Sequence, residues 1–214
     1  MERHYGSTGI PSVECINERL GKWIVRWDIQ EDTKEEGELA EGTQHNDISF
    51  YELGFPYKPS LEEIYSSVSA CGSFLSVDEV VEMGNLLGDN PLAAARQALI
   101  GQIERYDKSD AVNSFILAGK QMWLDKDTRV GLMNSINIEK EAGKETTMLW
   151  FDGVRYEIPV NAAIQMLNVL EIYALGCYNV THSHLALAKE LQTVEEIKAY
   201  NYTVGYPERL VFTI

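Results

Sequence analysis

The chain has 214 residues, 45% of them apolar and 24% charged, enough apolar matter for a substantial core and against wholesale disorder. Eighteen basic against 33 acidic residues give a formal charge of −15, which argues against a phosphate-backbone binder, since that affinity comes from clustered Lys and Arg. No apolar run reaches the roughly 18 residues that cross a bilayer, the start carries no leader-like apolar stretch, and three widely spaced cysteines (Cys15, Cys71, Cys177) indicate a reducing compartment rather than a disulfide framework.

The predicted elements begin after a short glycine-rich stretch, Gly6 to Gly9. Residues 21–29 alternate, with Trp23, Val25, Trp27 and Ile29 on one face and Lys22, Arg26 and Asp28 on the other, as a half-buried strand requires. The acidic run from Glu31 to Glu41 reads as a solvated loop, and a second strand over 48–55 is expected to pair back across it into a small antiparallel sheet. Ser60 with Glu63 and Ser76 with Glu79 each form a capping-box pattern, so short helices are expected over 61–70 and from 76 to Gly88. The turn cluster Gly88-Asp89-Asn90-Pro91 and a charge break set the expected modules at 1–90 and 91–214. Before Pro91 there are 6 basic and 18 acidic residues; from it onward, 12 and 15.

The second module opens with helix formers over 92–105. A hairpin over 115–124 turns at Gly119, and Thr128 caps a helix over 129–142 that Gly143 closes. Residues 147–158 set two apolar runs about Asp152-Gly153, the favoured two-residue turn. Asn161 is placed as the cap of a long helix reaching Leu191, with a narrow polar stripe through Gln165, Asn168, Glu171, Gly176, Asn179, His182 or Ser183, and Lys189. So wide an apolar arc implies burial on several sides, by its own domain or by neighbouring subunits. Thr193 caps a last short helix, and 210–214 is strand-like. The fold class expected is α+β: a small N-terminal antiparallel sheet with short helices, then β-hairpins packed on one long helix.

The familiar catalytic patterns are missing: no Walker-type loop, GxGxxG, GxSxG, HExxH or CxxC. His182 and His184, two apart on a helix, point about 200° apart and cannot share an ion there, so both read as helix-surface histidines and no metal or cofactor is expected. Asp107 with Asp110, and Asp125 with Asp127, offer carboxylate pairs for acid/base or sugar chemistry, but each sits at a turn or helix start where Asp caps. Glu171 lies in an apolar helix, where burial would raise its pKa; the plainer reading places it on the polar stripe, paired with Arg129 or Arg155. Cys177 reads as a buried small hydrophobe. The aromatics fill cores or bind sugars and proteins. Trp23, Trp27, Trp123 and Trp150 fall at in-facing strand positions, with core packing expected for at least three of them. The candidate contact residues are Trp123, Trp150, Tyr173 and Tyr178.

Segments 96–103, 106–115, 122–125, 128–129, 145–150, 170–174 and 200–207 together resemble a domain-of-unknown-function family, number 4376, common in phage and prophage tail-associated proteins. The resemblance covers about 92–214, and residues 22–64 resemble the small N-terminal module of many members. It implies a non-enzymatic virion protein, a tail-associated structural, adaptor or assembly component made in the bacterial host cytoplasm. Such a protein works through contacts with other tail or virion proteins and as a homo-oligomer, without nucleic acid or membrane. The alternatives are a carbohydrate- or receptor-binding module and, third, a hydrolase on Asp107, Asp110, Asp125 or Glu171. The family supplies no catalytic residues to carry over.

Overall fold

The computed structural model describes residues 1–31, 48–151 and 153–213. In chain order the N-terminal elements are β1 (His4–Gly6), β2 (Val13–Asn17), β3 (Lys22–Glu31), β4 (Ile48–Phe55), α1 (Leu61–Ala70), α2 (Val77–Leu87) and α3 (Leu92–Asp107). There follow β5 (Phe115–Leu117), β6 (Lys120–Met122), α4 (Lys126–Glu141), β7 (Thr146–Phe151), β8 (Val154–Pro159), α5 (Val160–Glu190), α6 (Val194–Ala199) and β9 (Val211–Phe212). The class is α+β as expected: an antiparallel N-terminal sheet with short helices, then strands packed against a long helix.

Two compact units form, one from 1–102 with 188–200, the other from 103–187 with 201–214. This differs from the expected break at residue 90. The turn formers at Gly88 to Pro91 only separate α2 from α3, and α3 continues unbroken to Asp107. Residues 188–200 rejoin the first unit, where Arg96 donates to the Leu191 carbonyl (2.6 Å) and Lys198 pairs with Asp78 (2.6 Å).

In the first unit the sheet order is β1-β4-β3-β2, and β3 pairs with β4 as the alternation foresaw, with Trp23 opposite Phe55 and Trp27 opposite Tyr51. The register slips after Trp27, where Asp28 takes a φ of +50°. Arg3 fixes that bulge by donating to the Asp28 carboxylate and carbonyl (both 2.7 Å), while the Asp28 amide donates to Glu79 (2.6 Å). The slip turns Ile29 outward, against the expected in-facing position, because a one-residue shift exchanges the faces. Arg26, expected on the open face, is buried between Glu52 and Glu14, each at 3.0 Å. Ser60 and Ser76 cap α1 and α2 with reciprocal bonds from Glu63 and Glu79, as their spacing requires. The acidic run beyond Glu31 lies outside the described residues.

In the second unit β5 and β6 form a hairpin turning through Ala118 and Gly119, both at positive φ, and β9 joins β5 in parallel. Strands β7 and β8 pair antiparallel from Thr146 opposite Pro159 to Phe151 opposite Val154, while Asp152 of the expected turn lies outside the described residues. The core joins Phe115, Leu117, Leu149, Phe151 and Ile158 to Ala163, Met166, Leu167 and Leu170 of α5, so the hairpins do pack on the long helix. The cap of helix α4 lies three residues before the expected Thr128: Asp125 is the cap, accepting the Thr128 N–H at 2.8 Å. A carboxylate accepts more strongly there than a hydroxyl. Helix α5 begins at Val160, one residue before its expected cap.

One side of α5 is buried, whereas Ile172, Leu175, Tyr178 and Leu187 stand exposed on it. By length and composition α5 is also a helix able to cross a bilayer, with a mean hydropathy of 1.3 over its most apolar stretch, although polar residues interrupt it.

Candidate functional site

The cleft that gathers most of the candidate residues lies in the second unit, where the start of α4 meets the middle of α5. It encloses about 540 Å³ and is lined by Asp107, Asn113, Trp123, Asp125, Lys126, Arg129, Glu171, Leu175, Cys177 and Tyr178. Each position follows from a local rule. Asp125 is at the mouth because it caps α4, and Arg129 follows one turn later on the same face. Glu171, Leu175 and Tyr178 recur at helical spacing on α5.

Arg129 and the three carboxylates of the lining are already engaged. Arg129, buried, donates to Glu171 (2.8 Å) and to the Leu124 carbonyl (2.6 Å), and its guanidinium lies 5.3 Å over the Trp123 ring. Glu171 is therefore paired with Arg129, the plainer of the two readings, and its side chain is 49% exposed. Thr181 donates to Asp107 (2.6 Å), so the Tyr206 hydroxyl, 3.1 Å away, donates to Thr181. Asn113 donates to the Asp107 carbonyl. The Thr128 backbone N–H, helped by its hydroxyl, holds the Asp125 carboxyl below the usual carboxylate range. That is opposite to what a general acid needs. Asp110 stands outside the cleft lining; its carbonyl accepts from Ser114 and Arg209.

Behind the cleft, Trp123 meets Tyr173 edge-on at 6.4 Å. Tyr173 is only 4% exposed and donates to the Val112 carbonyl at 2.8 Å, so this candidate contact residue packs inside the unit. Burial pushes its hydroxyl up to about 12 and also raises the Cys177 thiol, which keeps that sulfur protonated, as a buried hydrophobe should be. Tyr178 is exposed and lies 4.1 Å from the His182 ring. His184 corrects the surface reading of both histidines: it is buried, with Nε2 2.9 Å from the Val204 carbonyl. Among the described residues no group of three or more His, Cys, Asp or Glu is placed to hold a metal ion.

Trp150 is a second correction. It was expected to face inward, yet it is 65% exposed, because β7 turns Thr147, Leu149 and Phe151 to the core and Met148 and Trp150 to the outside. Trp27 is buried, and Trp23 and Trp123 are half-buried.

No family model matches the chain, and neither curated proteins nor solved structures give a match. The site must therefore be read on its own chemistry.

Sequence reasoning had named Asp107, Trp123, Asp125, Arg129, Glu171 and Tyr178, but on separate grounds and without joining them. Asn113 and Lys126 were missed. Lys126 sat beside Asp125 with nothing to mark its direction, and Asn113 follows a helix end with no informative spacing.

Proposed function

We propose that this chain is a non-enzymatic component of a bacteriophage or prophage particle, a tail-associated structural, adaptor or assembly protein. It works by binding other proteins through the outward face of α5. The observation that carries the contact role is the cluster Ile172, Leu175 and Tyr178, at 72%, 58% and 57% exposure, on a helix whose opposite side builds the core. Large apolar side chains grouped on one exposed helix face lower their free energy by meeting another apolar surface. The phage setting is supported by the sequence resemblance alone. Engagement of Asp107, Asp125 and Glu171 by Thr181, Thr128 and Arg129 supports a binding rather than a catalytic role.

The test is mass spectrometry of purified particles from the strain carrying the gene, with capture of identified tail proteins by wild type and by Ile172→Glu. Wild type should be found in the particle and retain a tail protein that Ile172→Glu loses. Its absence from particles, with no tail protein retained, would overturn the proposal.

One observation favours a second reading, a carbohydrate-binding module. Exposed Trp150 supplies a stacking face that a sugar ring uses, and the half-buried Trp123 lines the cleft beside the Asp107, Asn113 and Asp125 polar groups. Binding to host polysaccharide that Trp150→Ala or Trp123→Ala abolishes would establish it; a polysaccharide screen with no binding would remove it.

A further inference from the structure

The outward face of α5 has an order beyond being apolar at its centre. Gln165, Asn168, Ile172, Leu175, Asn179 and His182 are all exposed and follow one another at alternating steps of three and four. That average step of 3.5 is the seam spacing of two helices wound about each other. The row also reads the same chemically in both directions from its midpoint. Moving outward from the gap between Tyr173 and Ala174, both directions pass an aliphatic residue, then Asn, then a second polar side chain.

We propose that this row seats against the same row of a second copy of the chain, running antiparallel about a two-fold axis between Tyr173 and Ala174. The proposal rests on α5 being a contact surface and names what covers it. Ile172 then meets Leu175 of the partner subunit, Asn168 meets Asn179 of the partner subunit, and Gln165 meets His182 of the partner subunit. An isologous interface demands this reciprocity, since each residue must suit the one opposite in both directions. Amide on amide pairs a donor with an acceptor twice over, and an amide can satisfy a ring nitrogen of either tautomer. A buried Asn pair in such a seam also fixes the register.

Charge permits the contact despite the overall −15. Within α5 only Glu171, Lys189 and Glu190 are charged, and Glu171 is met by Arg129 at 2.8 Å. The antiparallel arrangement opposes the two helix macrodipoles; a parallel one would align them and set Glu171 level with its copy.

The test uses the full chain carrying Cys15→Ser and Cys71→Ser, with the buried Cys177 kept. Asn168→Cys and Asn179→Cys are added separately, and a short bis-maleimide is the cross-linker. A mixture of the two variants should give cross-linked dimers, and Leu175→Glu, exposed and checked for matched circular dichroism, should abolish them. Asn168→Cys alone should not cross-link, because eleven residues of helix, about 16 Å, separate the two sites. Efficient cross-linking of Asn168→Cys alone would show parallel pairing and overturn the proposal, as would mixed dimers indifferent to Leu175→Glu. If no dimer forms but a tail protein is retained and lost on Leu175→Glu, the pairing is wrong while the contact surface stands. If neither occurs, both fall.

Discussion

Arg129 ties three parts of the second unit together through its bonds to Glu171 and the Leu124 carbonyl and its place over Trp123. Replacing it by Met removes the donors but keeps much of the packing, and strands a buried carbonyl. The expected loss is about 2 kcal/mol in equilibrium urea unfolding. Glu171→Gln should cost well under half of that, because a half-exposed partner contributes little and water replaces it. Equal losses would mean the ion pair, not the carbonyl bond, holds the site. Tyr173 sets a pH dependence of definite sign. Burial lifts its pKa from 10 to about 12, so between those values the unfolded chain releases the proton and the folded chain keeps it. Its contribution is therefore complete below pH 10 and declines as pH rises toward 12. Thermal melts over that range should fall less steeply for Tyr173→Phe than for wild type, and parallel curves would contradict the assignment.

Two glycines test the helices against each other. A Cβ at Gly176 of α5 would come 2.9 Å from Pro207 Cγ, so Gly176→Ala must push back the segment carrying Pro207 and should cost roughly 2 kcal/mol. At Gly131 of α4 an added Cβ meets nothing within 4 Å, and Gly131→Ala should stabilise the helix by about 1 kcal/mol. Opposite signs in thermal melts are the expected result; two losses would mean α4 is covered where it is open here. The same elements show what a sequence makes legible. Helix starts at Ser60, Ser76 and Thr193 were readable because a capping box is a local bond pattern three residues long. The side of β7 that faces inward was not, because Met148, Leu149, Trp150 and Phe151 are all apolar and carry no alternation. Packing on α5 chose Leu149 and Phe151. Strand β2 was missed because Val13 to Asn17 is short and mixed, and among the described residues it pairs with β3 alone.

Across the whole molecule, patterning gave the fold class correctly, but no local signal tells a chain that 188–200 will group with 1–102. The cleft was half legible for the same reason. Its carboxylates could be named one by one, but their meeting depends on α4 docking against α5, and their chemistry on the groups that had already claimed them. What the sequence does carry at this scale is the excess apolar surface of the long helix, of which one face remains open in the folded chain. Sedimentation velocity of the full chain over a range of concentrations, beside an Ile172→Glu, Leu175→Glu double variant of matched circular dichroism, measures most directly whether protein covers that face. Wild type should sediment as a dimer and the variant as a monomer. Identical monomeric boundaries for both, at every concentration and in the presence of purified particles, would contradict a contact role for α5.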